Sequence, residues 1–499
     1  MSRLTHDEVL AQAAALDIRR QAFIDGRFVD AASGKAFDCI NPADGSVITR
    51  VAECDAADVD LAVAAARRAF EDGRWRDMAP RDRKTVMLRF ADLIEKHAME
   101  LALLETLDMG KPILNSLKVD MSLSALSIRW NAECIDKIYD EVAPTGPNAI
   151  GMITREPVGV VGAVVPWNFP LMMASWKLGP ALATGNSVVL KPAEQSPLTA
   201  LRVAELAVEA GIPEGVFNVV PGFGPTAGQA LGRHMDVDCI AFTGSGPVGR
   251  MFMKYAADSN MKRVWLEAGG KSPNVVFADA PNLDTAAREA AGGIFYNQGE
   301  VCSAGSRLIV EESIKDEFLE KVIAASRSMQ PGDPLDPATK MGAIVDEEQM
   351  KRVLGYIDKG REEGASVAMG GNRVRQESGG YYIEPTIFDN VSNDMTIARE
   401  EIFGPVLSTV TFRDYDEAIA LANQTEFGLA AAVWTRDITR AHKAARAIRA
   451  GSVWINNWDG GDITMPFGGY KQSGNGRDKS LHALDKYVEL KATWISLAE

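Results

Sequence analysis

The sequence predicts an α/β protein with parallel sheets covered by helices, and three observations carry that prediction. From residue 158 onward, short β-branched runs alternate with amphipathic helical stretches, the rhythm of parallel strands linked by helical crossovers. The chain has 499 residues, too many for one ordinary core, so two or three domains are expected. Hydrophobic residues make up 46% and charged residues 24%, which supplies large cores beneath a solvated surface.

The N-terminal part opens with a strand pair over 22–29 and continues in helices. Asp55 is placed to cap a helix whose Val59, Ala62, Val63, Ala66 and Phe70 share one face and which ends at Gly73. Further helical stretches cover 81–108 and 115–141. The first alternating series has strands at 158–165, 187–190, 217–220, 239–243 and 263–267, with helices at 171–183, 198–210, 226–233 and 248–257. A second series has strands at 274–277, 307–310, 406–412 and 430–434. Its helices start at Asp284 and cover 313–327, 416–423 and 440–447, and 370–380 reads as a surface loop. Residues 157–176 carry no charge, but Pro166, Asn168 and Pro170 break them into strand, turn and helix rather than a membrane span.

A formal net charge of -15 argues against nucleic acid or an anionic membrane as partner. The five cysteines, Cys39, Cys54, Cys134, Cys239 and Cys302, are scattered, odd in number and without a CxxC pair. With no apolar N-terminal segment, they point to a reducing cytoplasm.

Cys302 stands apart from the other four. Gly299 and Gly305 bracket it, which predicts a bend where backbone approaches a ligand, and Asn297 and Gln298 lie close by. Such surroundings suit a negative charge forming beside a reactive sulfur, although most free thiols are buried and inert. Gly244-Ser-Gly246-Pro-Val-Gly249 follows an apolar strand and opens a helix, so free backbone N–H groups would aim at a dinucleotide phosphate. Glu267 lies about 20 residues further on, where a ribose ligand is normally sought. It ends a strand in Trp265-Leu-Glu-Ala-Gly-Gly-Lys271, however, the place for a catalytic carboxylate. The better ribose site is Lys191-Pro-Ala-Glu194, where Glu194 accepts from hydroxyls, would repel a 2′-phosphate and so favours NAD over NADP.

Taken together, Pro166-Trp-Asn-Phe-Pro170, Lys191-Pro-Ala-Glu194, Phe242-Thr-Gly-Ser245, Leu266-Glu-Ala-Gly-Gly-Lys271, the Cys302 segment, Glu401-Ile-Phe-Gly-Pro405 and Pro466-Phe-Gly-Gly469 resemble the aldehyde dehydrogenase superfamily over essentially the whole chain. The stretch from Gly469 to Ser480 is similar to the bacterial γ-glutamyl-γ-aminobutyraldehyde and guanidinobutyraldehyde dehydrogenases. The resemblance implies a Rossmann-like NAD-binding domain (1–138 and 155–267), an α/β catalytic domain (268–479) and a small β oligomerisation domain (139–154 and 480–499). A homodimer or homotetramer follows from it, with a small-molecule aldehyde as partner and no metal.

The resemblance also implies roles. Cys302 is the nucleophile, Glu267 the general base, and Asn168 with the Cys302 N–H the oxyanion cradle. The cofactor, NAD with NADP a weaker expectation, is held by Val165, Trp167, Lys191, Glu194, Gly224, Phe242, Gly244, Ser245, Val248, Glu401 and Phe403. Met173, Trp176, Tyr296 and Trp458 match positions that line the family's aldehyde tunnel, and Asp120, Asp459 and Asp462 would put carboxylates near its mouth. The expected substrate is therefore an amine-derived aldehyde with an ω-amino, guanidino or γ-glutamylamino tail, as in polyamine breakdown. Alternatives are broad-specificity, betaine or semialdehyde oxidation. CoA acylation is disfavoured because those relatives typically lack a glutamate at the place of Glu267, and a catalytically silent scaffold is disfavoured by Cys302, Glu267 and Asn168 together. Two positions depart from the family: Glu300 stands where Gln is common, and Asp478 where Glu is common, so no catalytic role is carried over to Asp478.

Overall fold

Strands form where the β-branched runs predict them, and with further strands outside those runs they assemble into two seven-stranded sheets, one of three strands and two two-stranded pairs. The computed structural model describes residues 4–497, so positions 1–3 and 498–499 of the expected terminal domains lie outside the described residues. The first sheet has the order Arg263–Glu267, Cys239–Thr243, Val160–Val164, Ser187–Lys191, Phe217–Val219, Ala22–Ile24, Arg27–Val29. Its first five strands are parallel, and every residue of Cys239–Thr243, Val160–Val164 and Ser187–Lys191 is buried, as suits strands covered on both faces. The chain leaves Val160–Val164 for one neighbour and later returns to its other side, which opens a crevice at the carboxyl ends of these strands. The N-terminal pair closes the sheet as an antiparallel hairpin, turned by Asp25 and Gly26 at φ 52° and 78°.

The second sheet runs Ser366–Met369, Thr386–Asp389, Val406–Phe412, Arg307–Glu311, Pro273–Val276, Ala430–Trp434, Ser452–Ile455, parallel except for its first strand. The third sheet is antiparallel: Val488–Ser496 pairs with Ala149–Pro157, which pairs with Glu141–Ala143. On it Leu490 is 66% and Trp494 69% exposed.

Four expectations change. The helical stretch 81–108 is two helices, Pro80–Lys96 and Ala98–Met109, broken at His97, whose Nδ1 lies 2.8 Å from Glu100 Oε2. The stretch 115–141 contains a π turn, Ser116–Asp120, then Met121–Cys134, and Glu141 already belongs to a strand. A second π turn, Gly224–Gly228, precedes the short helix Gln229–Arg233. The loop 370–380 carries a strand, Arg373–Val374, paired with Tyr382–Ile383. The uncharged segment 157–176 is a strand, a bend and the start of helix Pro170–Ala183, and no described helix is long and apolar enough to cross a membrane.

The helix Ala56–Glu71 lies on the first sheet and starts in a capping box. Asp55 accepts from the Ala57 N–H at 2.9 Å, and the buried Asp58 accepts from the N–H groups of Asp55 (3.0 Å) and Ala32 (2.7 Å). Asp58→Ala strands two N–H groups and is expected to cost about 1–2 kcal/mol, read as a fall of a few degrees in the thermal unfolding midpoint.

Candidate active site

Residues following the strands Val160–Val164, Cys239–Thr243 and Arg263–Glu267 face Cys302, Glu401, Phe403, Phe427 and Phe467 across a cavity of about 460 Å³. That volume is of the size that holds a small ligand.

Cys302 reaches the cavity because three consecutive residues before it are left-handed: Asn297, Gln298 and Gly299 have φ of 48°, 57° and 73°. The glycines flanking the cysteine serve a different end from the expected approach to a ligand. A side chain at Gly299 would run into the Gly404 carbonyl, and one at Gly305 would meet the Trp458 indole at 3.0 Å, so both glycines admit protein neighbours. Asn297 and Gln298 are likewise used to build the bend. Asn297 Nδ2 donates to the carbonyls of Asn168 and Glu300, each at 3.1 Å, and Gln298 Oε1 accepts from the Gly342 N–H at 3.0 Å. Glu300 is fully buried and accepts from the Val345 N–H at 3.1 Å; burial pushes its pKa well above the carboxylate range. Asn168 Nδ2 donates one hydrogen to the Glu300 carbonyl at 2.8 Å, which leaves its second hydrogen free. Among the described residues, the Cys302 N–H donates to no protein acceptor.

Glu267 ends its strand with its carboxyl buried and both oxygens unpartnered. A side chain at Gly468 would run into the Gly476 carbonyl at 2.4 Å and come within 2.7 Å of Oε1, so the glycine of the 466–469 motif admits both neighbours. Burial raises the Glu267 pKa well above the ordinary range; Asp478 adds to this, while Lys177, Lys486 and Arg477 oppose it. Asp478, to which no catalytic role is carried over, lines the cavity and is paired with both Lys177 and Lys486, all three buried.

The cavity suits a dinucleotide at its other end. Gly246–Ala257 begins there with Pro247 in its first turn, and the Ser245 side chain caps no N–H, so the first-turn amides stay open to a phosphate. Thr243 Oγ1 is buried without a partner beside them. Lys191 Nζ and Glu194 Oε2 are 3.1 Å apart at the end of strand Ser187–Lys191, where Glu194 and Phe223 line a separate pocket, and Gly224 starts the π turn beyond. Glu401 rests on Gly269 and accepts from the Gly270 N–H at 3.2 Å; burial raises its pKa to about 7. Trp167 and Phe403 pack edge to face, centroids 5.2 Å apart, on the cavity wall with Gly244. Val165 and Phe242 are core residues away from the lining, and Val248 is 39% exposed on the helix surface.

At the sulfur end, Met173, Trp176 and Phe467 form the wall, with the Trp176 and Phe467 rings 5.3 Å apart. Tyr296 stacks on Phe169, and Trp458 is packed against Gly293, Gly305 and Trp454 rather than lining the cavity. Asp120 differs from expectation: it is wholly buried and paired with Lys111, because a fully buried ammonium needs a counter-ion. Asp462 is spent on the Thr464 N–H of its own loop. Asp459 is exposed on the loop after Trp458 and is not part of the cavity lining. Sequence reasoning missed Gln349, Arg352 and Arg250 on the lining. Gln349 sits on Glu347–Glu362, a largely polar helix with little apolar signal to reveal it.

Residues 28–493 match the aldehyde dehydrogenase family. The chain belongs to that family. It is 54% identical over 486 residues, 97% of each chain, to the NADP/NAD-dependent aldehyde dehydrogenase PuuC of Escherichia coli (strain K12). It also matches the crystal structure of an indole-3-acetaldehyde dehydrogenase in complex with NAD+ (TM-score 0.98, 62% identity, 99% of this chain and 100% of that one). The γ-glutamyl-γ-aminobutyraldehyde dehydrogenase from Burkholderia cenocepacia J2315 matches equally well (TM-score 0.98, 61% identity, 99% and 100% covered). The enzyme is thus an NAD(P)-dependent aldehyde dehydrogenase, and its cofactor is NAD, with NADP possible.

In the resting enzyme, burial, then Glu401, Glu267 and Asp459, push the Cys302 thiol up to about 12, while the Ser303 N–H works the other way. Below that value the thiol keeps its proton. Alkylation of Cys302 by iodoacetamide, followed by mass spectrometry, is therefore expected to be slow at neutral pH and to rise about tenfold per pH unit on the alkaline side.

Proposed function

We propose that Cys302 is the nucleophile, Glu267 the general base, and that the substrate is an amine-derived aldehyde carrying an amino, guanidino or γ-glutamylamino tail. Cys302 Sγ adds to the carbonyl carbon and hands its proton to Glu267, the nearby carboxylate with unpartnered oxygens. The second Asn168 Nδ2 hydrogen and the Cys302 N–H meet the charge that grows on the carbonyl oxygen. Ser245, the Lys191–Glu194 pair and Glu401 would hold NAD(P), which would supply the acceptor for the hydride lost from the aldehyde carbon. Once Glu267 has released the thiol proton to solvent, it draws a proton from the water that opens the thioester, which favours hydrolysis over transfer to CoA.

The observation behind the substrate class is the aromatic wall of Trp176 and Phe467 at the sulfur end, which suits a cationic tail, with Asp459 exposed on the loop after Trp458. The same wall supports a second reading, an arylacetaldehyde, in line with the indole-3-acetaldehyde relative. We also infer a homodimer or homotetramer joined through Val488–Ser496, whose exposed Leu490 and Trp494 suit burial against another copy, and a reducing cytoplasmic setting for the five free cysteines.

Asn168→Ala is expected to lower kcat about 100-fold or more. In a kcat/KM panel, guanidinobutanal and betaine aldehyde should exceed hexanal. Asp459→Asn should raise KM for those two cations about fivefold and leave hexanal unchanged. Preference for indole-3-acetaldehyde with no response to Asp459→Asn would select the second reading.

A further inference from the structure

Four charged side chains, two of them on the wall of the cavity that Cys302 enters, are clustered with almost no exposure to water. Glu267 is 5% exposed, Lys177 1%, Asp478 0% and Lys486 3%. They come from four parts of the chain: the end of strand Arg263–Glu267, the helix Pro170–Ala183, the segment after the 466–469 motif, and the turn Leu481–Tyr487. Asp478 gives one oxygen to each lysine. One lysine would suffice to neutralise it. The second is therefore a surplus positive charge inside the protein, and Glu267, with neither oxygen engaged, is the buried acid beside it. With Glu267 ionised, the four charges cancel; with Glu267 protonated, one positive charge is left over.

We propose that Lys486 is a positioning residue that, through Asp478, provides the countercharge allowing Glu267 to exist as a base. This rests on the reading of Glu267 as general base. The other titratable groups facing Glu267 are Cys302, Arg477 and Tyr487. Arg477 is half-buried, open to water, and donates to the carbonyls of Gly469 (2.9 Å) and Gly476 (2.6 Å). Tyr487 is buried with its hydroxyl unpartnered, and burial keeps the phenol neutral. Neither replaces a buried ammonium. Lys486 is also held from outside the cluster: its carbonyl accepts from Trp265 Nε1 at 3.2 Å, two residues before Glu267, and the next residues enter Val488–Ser496.

The test is the pH dependence of thioester hydrolysis in single-turnover experiments on the full-length holoenzyme. Lys486→Met is expected to move the acid limb upward by about one pH unit, a roughly tenfold loss below the limb, and Lys486→Arg to leave the limb in place. Asp478→Asn should move it downward, and the double variant Asp478→Asn/Lys486→Met should return it to near the wild-type position. The Asp478→Asn direction decides the matter if Lys486→Met does not fold. A lower plateau with an unmoved limb in Lys486→Met, or an Asp478→Asn limb that does not fall, overturns the proposal. Glu267→Gln separates the two ideas. If it keeps the wild-type limb, the base assignment itself fails; if it loses the limb while the other variants leave it unmoved, only the role of Lys486 fails.

Discussion

Asp478 grips two lysines, and neither lysine nor acid meets water. In a medium of low polarity such charges are tolerated only as a set, because each alone would lose its hydration without recompense. That condition ties together elements distant in sequence. The helix Pro170–Ala183 brings Lys177, the strand Arg263–Glu267 brings the carboxyl, and the turn Leu481–Tyr487 brings Lys486. The two large sheets need only place their strand ends around one cavity; the buried charges then fix which side chains can stand there. Burial is also why Cys302 rests as a thiol and why Glu267 and Glu401 hold their protons more tightly than surface acids do.

The sheets were largely legible in the sequence, since parallel strands covered on both faces leave unbroken apolar runs. Cys239–Thr243, Val406–Phe412 and Ala430–Trp434 lie where the pattern placed them. What escaped were three short strands of the second sheet, Ser366–Met369, Thr386–Asp389 and Ser452–Ile455, and features made by single contacts rather than by periodicity. The break at His97 goes with a local bond to Glu100, and the π turn at Ser116–Asp120 with a buried ion pair from Asp120 to Lys111. Neither leaves a trace in hydropathy.

The site divides in the same way. Cys302 and Glu267 could be singled out from residue type and position, Asn168, Ser245 and Glu401 through the family resemblance, and all line one cavity. Asp478 could not be read so, because its meaning lies in Lys177 and Lys486, 301 positions before it and 8 after it. Asp120 misled for the converse reason: an acid near a substrate passage in sequence terms is, in space, the partner of a hidden lysine.

Three successive left-handed residues carry the chain from Tyr296 to the sulfur. Such a stretch has no slack: adding or deleting one residue would rotate every later side chain away from its present direction, and Cys302 with them. Length variation is thereby closed off on this side of the chamber. New aldehyde preferences are then reached by exchanging side chains around the chamber, such as Met173, Trp176 and Phe467, so this scaffold diversifies by repainting rather than by rebuilding.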